Sequence, residues 1–162
     1  MSKSGDMIEG LSLLGKGSMP KLSGGPSRTI LEAFPNKYPD RHYVVSIYFP
    51  EFTSLCPVTG QPDFGAIQVD YIPDELCVES KSFKLYMFAF RDHQSFMETI
   101  ANAILDDLVA VLDPRWIRVK GLFAPRGATR LHVFVERFKP LETVLKEEVE
   151  RRVESWRIEE RR

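Results

Sequence analysis

Hydrophobic and polar positions divide the chain into segments of different period. From Tyr43 to Phe49, β-branched and aromatic residues dominate and predict a strand closed by Pro50. Residues 51–63 read as a loop, punctuated by Pro57, Gly60 and Pro62. Ile67, Val69 and Tyr71 then alternate with Gln68 and Asp70, the period of a half-buried strand, which Pro73-Asp74 ends. Over 80–92 the period changes: Phe83, Met87 and Phe90 fall four and three apart, predicting a helix. Phe96, Ile100, Ile104, Leu108 and Val111 form a second apolar stripe and predict a helix over 95–112, stopped by Asp113-Pro114. Two strands follow, Trp116 to Phe123 and Arg130 to Arg137, joined through a turn at Ala124-Pro125-Arg126-Gly127. In the tail, Leu141, Leu145, Val149, Val153 and Trp156 make the apolar face of an amphipathic helix with Pro140 at its first position.

The order strand, strand, helix, helix, strand, strand predicts an α+β domain. Short connections favour a four-stranded antiparallel sheet with both helices on one face, leaving the other face to be covered or solvated. Residues 1–28 differ from the rest. Six of the ten glycines lie within the first 25 residues, so this stretch reads as a flexible arm. The body of the domain is then expected over 29–140 and the tail helix over 141–162. Twelve of the last seventeen residues are charged, six of each sign, which suits a solvated helix with internal ion pairs or a subunit contact.

Composition narrows the function. With 43% hydrophobic and 28% charged residues among 162, the chain can form one domain that buries roughly 70% of its unfolded surface. A net charge of −1 gives no bulk basic surface for nucleic acid. Two cysteines make no disulfide framework and suit a reducing cytoplasm. No apolar run approaches the roughly 20 residues of a membrane span, and MSKSGDMIEG lacks the apolar core of a secretion signal.

The candidate chemistry lies at the element boundaries. Cys56 follows the first strand, and Asp63 sits seven residues on at the far end of the loop. A thiolate nucleophile and a carboxyl proton donor are a workable pair for covalent catalysis, although a small buried thiol and a turn aspartate account for the same residues. Lys81 and Lys84 open the first helix, three apart, where their charge adds to the helix dipole and suits phosphate groups; a solvated start capped by Ser80 is the alternative. Glu98 follows Ser95 by three residues, the spacing of a capping box, yet a glutamate there can also accept N–H donors of a purine-like ring. His93 lies between the helices. Cys56, Cys77 and His93 match no familiar zinc spacing, and no dinucleotide-binding glycine fingerprint is present.

Two longer strings carry a resemblance. Glu79-Ser80-Lys81-Ser82-Phe83-Lys84-Leu85-Tyr86 and Cys56-Pro57-Val58-Thr59-Gly60-Gln61-Pro62-Asp63-Phe64-Gly65 resemble the signature stretches of the nitrile reductases that convert 7-cyano-7-deazaguanine to 7-aminomethyl-7-deazaguanine in queuosine tRNA modification. The similarity covers about residues 38–138. It implies the tunnelling fold, related to GTP cyclohydrolase, and assembly into pentameric rings. It also implies NADPH as cofactor, no metal, and no direct contact with nucleic acid or membrane.

The roles it implies fall on particular residues. Cys56 would attack the nitrile carbon to form a thioimide, and Asp63 would protonate the nitrogen. Val78, Glu79 and Ser80 would lie against the deazaguanine, and Glu98 would hold its amino and ring N–H groups. Lys81, Lys84, Arg126 and Gly127 would contact NADPH phosphates. The chain departs from the pattern at Met97, where the family usually carries His; the polar contact there is then missing, or His93 takes it. Amine transfer to the same thioimide without NADPH, metal-dependent hydrolysis, and a non-catalytic binding module of the same fold are the competing functions.

Overall fold

The computed structural model describes residues 24–161. Most of the predicted arm, residues 1–23, lies outside the described residues. Within them, Ser27 already caps a short 3-10 turn, Arg28–Ile30.

The main sheet is built from β2 (Val45–Leu55), β3 (Pro62–Ile72), β5 (Trp116–Phe123) and β6 (His132–Phe138), antiparallel in the order β2-β3-β5-β6. β1 (Ala33–Pro35) and β4 (Leu76–Val78) form a separate two-stranded sheet. This small sheet escaped the sequence reading because three residues are too short to show a period. Alternation along β3 and β5 assigns the two faces of the main sheet. Ile67, Val69 and Tyr71, with Ile117, Val119 and Phe123, pack under α1 (Ser80–Phe88) and α2 (Met97–Leu112). Phe83, Tyr86 and Met87 of α1, with Ile100, Ile104 and Leu108 of α2, complete this core. Each such side chain contributes about 1.5–3 kcal/mol on burial.

The opposite face is covered at one end by α3 (Thr143–Glu159). Its Val149 and Val153 are fully buried against Ile72 and Trp116. Glu160, just past the helix, receives Gln68, Arg118 and Lys120 from the same face. The helix starts at Thr143 rather than at Pro140, because Lys139 N still donates to Arg115 O and holds the chain at the sheet.

Three further features differ from expectation, each for a reason that bears on the site. Pro50 does not end the strand. β2 is an edge strand with a register shift between Phe49 and Phe52, and a bulged edge tolerates a residue without an N–H. The loop therefore shrinks to residues 56–61. The first helix stops at Phe88, and residues 89–92 turn back through short bonds such as Phe90 N to Met87 O. The capping box at α2 is not formed. Phe96 occupies the cap position without a side-chain bond, and Ser95 N is committed to Leu55 O at 3.1 Å.

Candidate active site

Cys56 begins the six-residue turn between β2 and β3. Cys56 N donates to Gln61 O (2.8 Å), and Gly60 N donates to Cys56 O (2.9 Å). Gly60 has a φ of +67°, a left-handed conformation that glycine adopts without strain. The turn aims its own polar groups at the sulfur. The Thr59 hydroxyl contributes most, then the backbone N–H groups of Thr59 and Val58, and they hold the thiol at about 7 against burial, with Arg126 adding to them. A substantial thiolate fraction at neutral pH makes Cys56 a competent nucleophile.

Asp63 is 3% exposed on β3, just past the far end of the turn. Its Oδ1 accepts from Arg126 Nη1 at 2.8 Å. Arg126 is in turn pushed further toward its charged form, first by its hydrogen bond with Cys56 and then by the charge of Asp63. One guanidinium thus joins the nucleophile and the carboxyl. It comes from the β5–β6 connection, where Arg126 N donates to Thr129 O (2.8 Å) and Thr129 N to Arg126 O (2.9 Å), with Gly127 and Ala128 both left-handed. β3 and β5 approach so closely here that a Cβ on Gly65 would lie 2.7 Å from Leu122 O.

The segment before α2 is tied to the same end. Leu55 N donates to His93 O (3.0 Å), Ser95 N returns to Leu55 O, and Leu55 bridges Gln94 in parallel. His93, whose ring meets Phe90 edge-on at 5.9 Å, is therefore held beside the strand end that precedes Cys56. Met97 packs on the core, and Glu98 is exposed in the first turn of α2. With no capping box, the Glu98 carboxylate is not engaged in capping.

Val78, Glu79 and Ser80 lie elsewhere. Val78 N donates to the Tyr71 hydroxyl (3.1 Å), and Tyr71 is eight residues along β3 from Asp63, roughly 26 Å at the rise of a strand. No two-ring heterocycle touches both ends of the sheet in one chain. Glu79, not Ser80, caps α1: its carboxylate accepts from Lys81 N (2.8 Å) and Ser82 N (2.7 Å). That carboxylate already occupies the helix N–H groups expected to attract phosphate. Side chains of the first turn, with Lys84 exposed, are what remains for an anion. Cys77 sits at this end too, with its sulfur 3.6 Å from the Tyr43 hydroxyl. A Cys56–Cys77 disulfide within one chain is out of reach, and Cys56, Cys77 and His93 do not assemble.

One further residue was missed in the sequence, and another gains a contact the sequence did not display. Thr59 was legible as a hydroxyl in the turn after Cys56, but only the turn geometry shows where it points. Arg126 was assigned to phosphate, and its connection to the Cys56–Asp63 pair depends on a contact between residues 63 apart in sequence.

A thiol lowered in pKa and joined through an arginine to a buried carboxyl, on an α+β sheet capped by two helices, is an arrangement suited to thiol-dependent chemistry. Comparison with known proteins specifies the family. The model of QueF-like proteins matches residues 62–142. An NADPH-dependent 7-cyano-7-deazaguanine reductase of Nitratidesulfovibrio vulgaris is 62% identical over 161 residues, 99% of this chain and 97% of that one. Its counterpart in Desulfovibrio desulfuricans is 69% identical over 138 residues, 85% of this chain and 83% of that one. The Neisseria meningitidis serogroup B protein of the same name is 50% identical over 134 residues, covering 83% and 85%. The chain belongs to this family of NADPH-dependent 7-cyano-7-deazaguanine reductases. Among solved structures, the archaeosine synthase QueF-Like in its apo form matches with a TM-score of 0.55 at 20% identity, covering 61% of this chain and 96% of that one. At that identity the likeness is one of fold, and it bears out the tunnelling fold expected above.

Proposed function

We propose that this protein reduces the nitrile of 7-cyano-7-deazaguanine to the primary amine of 7-aminomethyl-7-deazaguanine, using NADPH, through a thioimide on Cys56. The observation that carries this reading is the Cys56 thiol held at about 7, with Asp63 joined to it through Arg126. Thiolate attack forms the S–C bond and moves one π pair of the nitrile onto nitrogen, and Asp63 passes to that nitrogen the proton that the Cys56 thiol gave up. Arg126 fixes one oxygen of that carboxyl, leaving the other for the substrate. Glu98 holds the amino and ring N–H groups of the base, with His93 and Met97 beside it on the same side of the sheet.

The remaining substrate contacts, Val78, Glu79 and Ser80, come from a second copy in this reading. The roughly 26 Å between the two ends of the sheet supports that arrangement. β2 and β6 are the outer strands of the described sheet, a position that suits pairing between repeated copies in a ring. The residue types at the start of α1 fit the cofactor: Lys81 and Lys84 carry charges suited to its phosphates. When bound, NADPH supplies hydride, and the four-electron change from nitrile to amine takes two. Gly127 flanks this site. Arg126 engages Asp63 through Nη1, and its other N–H donors suit a phosphate. The protein acts in the cytoplasm on a small molecule.

The test mixes the reduced protein with 7-cyano-7-deazaguanine and follows NADPH absorbance. Oxidation of NADPH with accumulation of the amine supports the reading. A covalent adduct on Cys56 without NADPH consumption would favour amine transfer. Binding of the nitrile with no adduct would favour a non-catalytic module.

A further inference from the structure

Ser54 is fully buried in β2, and its hydroxyl has no hydrogen-bond partner among the described residues. Buried hydroxyls are nearly always paired, and packing alone is served equally well by alanine. This orphan stands two residues before the nucleophile. It is also directly opposite Asp63 in the β2–β3 register. Opposed residues of an antiparallel pair share one face, with Cβ atoms about 5 Å apart. Asp63 is itself buried, and its Oδ1 is held by Arg126 at 2.8 Å.

Resting on the reading of Asp63 as the acid, we infer that Ser54 is a positioning residue for Asp63: its hydroxyl donates to the carboxylate oxygen that Arg126 does not hold, once that oxygen has given up its proton. In that step the Cys56 S–C bond forms and one π bond of the nitrile breaks. Its electron pair goes to nitrogen, and nitrogen takes the proton of Asp63. The Ser54 proton stays on its own oxygen, so the balance of the reaction is unchanged. The carboxylate is then held from both sides, by a guanidinium on one oxygen and a hydroxyl on the other. An interaction absent before the step and present as charge develops favours the transition state over the ground state. A buried hydroxyl without a partner among the described residues meets that requirement, because it gives up no earlier protein hydrogen bond.

The test times Cys56 adduct formation by quenched mass spectrometry, with 7-cyano-7-deazaguanine and no NADPH. It compares the wild type with Ser54→Ala, Ser54→Thr and Asp63→Asn. Ser54→Ala is expected to slow the adduct step about tenfold at saturating nitrile, a minor share of the hundredfold or more that a general acid supplies. The half-saturating concentration and the melting temperature stay as in wild type, the solvent deuterium isotope effect rises, and Ser54→Thr recovers most of the rate. Adduct formation at the wild-type rate in Ser54→Ala, with Asp63→Asn slow, overturns the inference and leaves Asp63 as the acid. So does a lowered melting temperature with an unchanged rate, which would make the hydroxyl structural. An Asp63→Asn protein that forms the adduct at the wild-type rate overturns the reading of Asp63 itself.

Discussion

Arg126 Nη1 stands 2.8 Å from Asp63 Oδ1, and the same guanidinium hydrogen-bonds Cys56. The nucleophile and the carboxyl therefore share one positive charge, supplied by a turn between two other strands. Arg126→Met removes the Coulombic partner of both groups. Adduct formation on Cys56 should slow at least tenfold, and Arg126→Lys should recover only part of it, because an ammonium cannot present the planar donor fork. Wild-type adduct rates in Arg126→Met would dissolve the connection.

The Cys56 thiol titrates at about 7, below the usual thiol range, with the Thr59 hydroxyl as the largest cause. The thiolate is the reactive form, so iodoacetamide labelling of Cys56 should rise with pH around a midpoint near 7. In Thr59→Val the midpoint moves up, and in Thr59→Ser it stays. Arg126→Met raises it by less, since Arg126 contributes less to the shift than Thr59 does. Peptide mapping of the labelled cysteine over a pH series reads all four proteins. A midpoint unchanged by Thr59→Val would contradict this assignment.

The separation of Cys56 from Glu79 along the sheet gives a complementation experiment. Cys56→Ala and Glu79→Gln are each expected to be nearly inactive alone. Mixed and allowed to exchange subunits, they should regain roughly a quarter of wild-type activity, the share of random contacts that pair an intact Cys56 with an intact Glu79. No recovery in demonstrably mixed assemblies would place both residues in one chain's site. Glutamine is used at position 79 because the carboxylate also caps α1, and its truncation costs about 1 kcal/mol in stability.

Acid stability depends on a different cluster. Asp74 accepts from Arg115 and Lys139, and Lys139 also pairs with Asp113. Burial pushes Asp74 up, but the hydrogen bonds from Lys139 and Arg115 outweigh it and hold the carboxyl below its ordinary range. Asp113 is lowered chiefly by Lys139. A depressed carboxyl adds stability that is present above its unfolded pKa, near 4, and is lost as pH falls through the folded value. The melting temperature should therefore hold near neutrality and drop below about pH 4. Asp74→Asn should lie lower at pH 7 and decline less, as read by thermal scans across pH.

Much of the fold was legible because its signals are periodic. The apolar stripe through Ile100, Ile104 and Leu108 and the alternation through Ile67, Val69 and Tyr71 each gave an element of the right type in the right place. The edges were harder to read. Pro50 looks like a stop, yet an edge strand with a bulge accommodates it. Ser95 and Glu98 have the spacing of a capping box, yet the bridge from residues 93–95 to Leu55 takes the backbone that the box would use. At the site, Cys56 and Asp63 could be paired from the loop between them. The contacts of Arg126 with Asp63 and of Ser54 with the same carboxyl's strand depend on register, which one sequence does not display.

The most direct test of the account counts NADPH oxidised per 7-cyano-7-deazaguanine consumed, alongside the mass of the Cys56 peptide. The account predicts two NADPH per nitrile, a transient adduct on Cys56, and neither event in Cys56→Ala. Turnover of the nitrile in Cys56→Ala, or its consumption without NADPH oxidation, would contradict it.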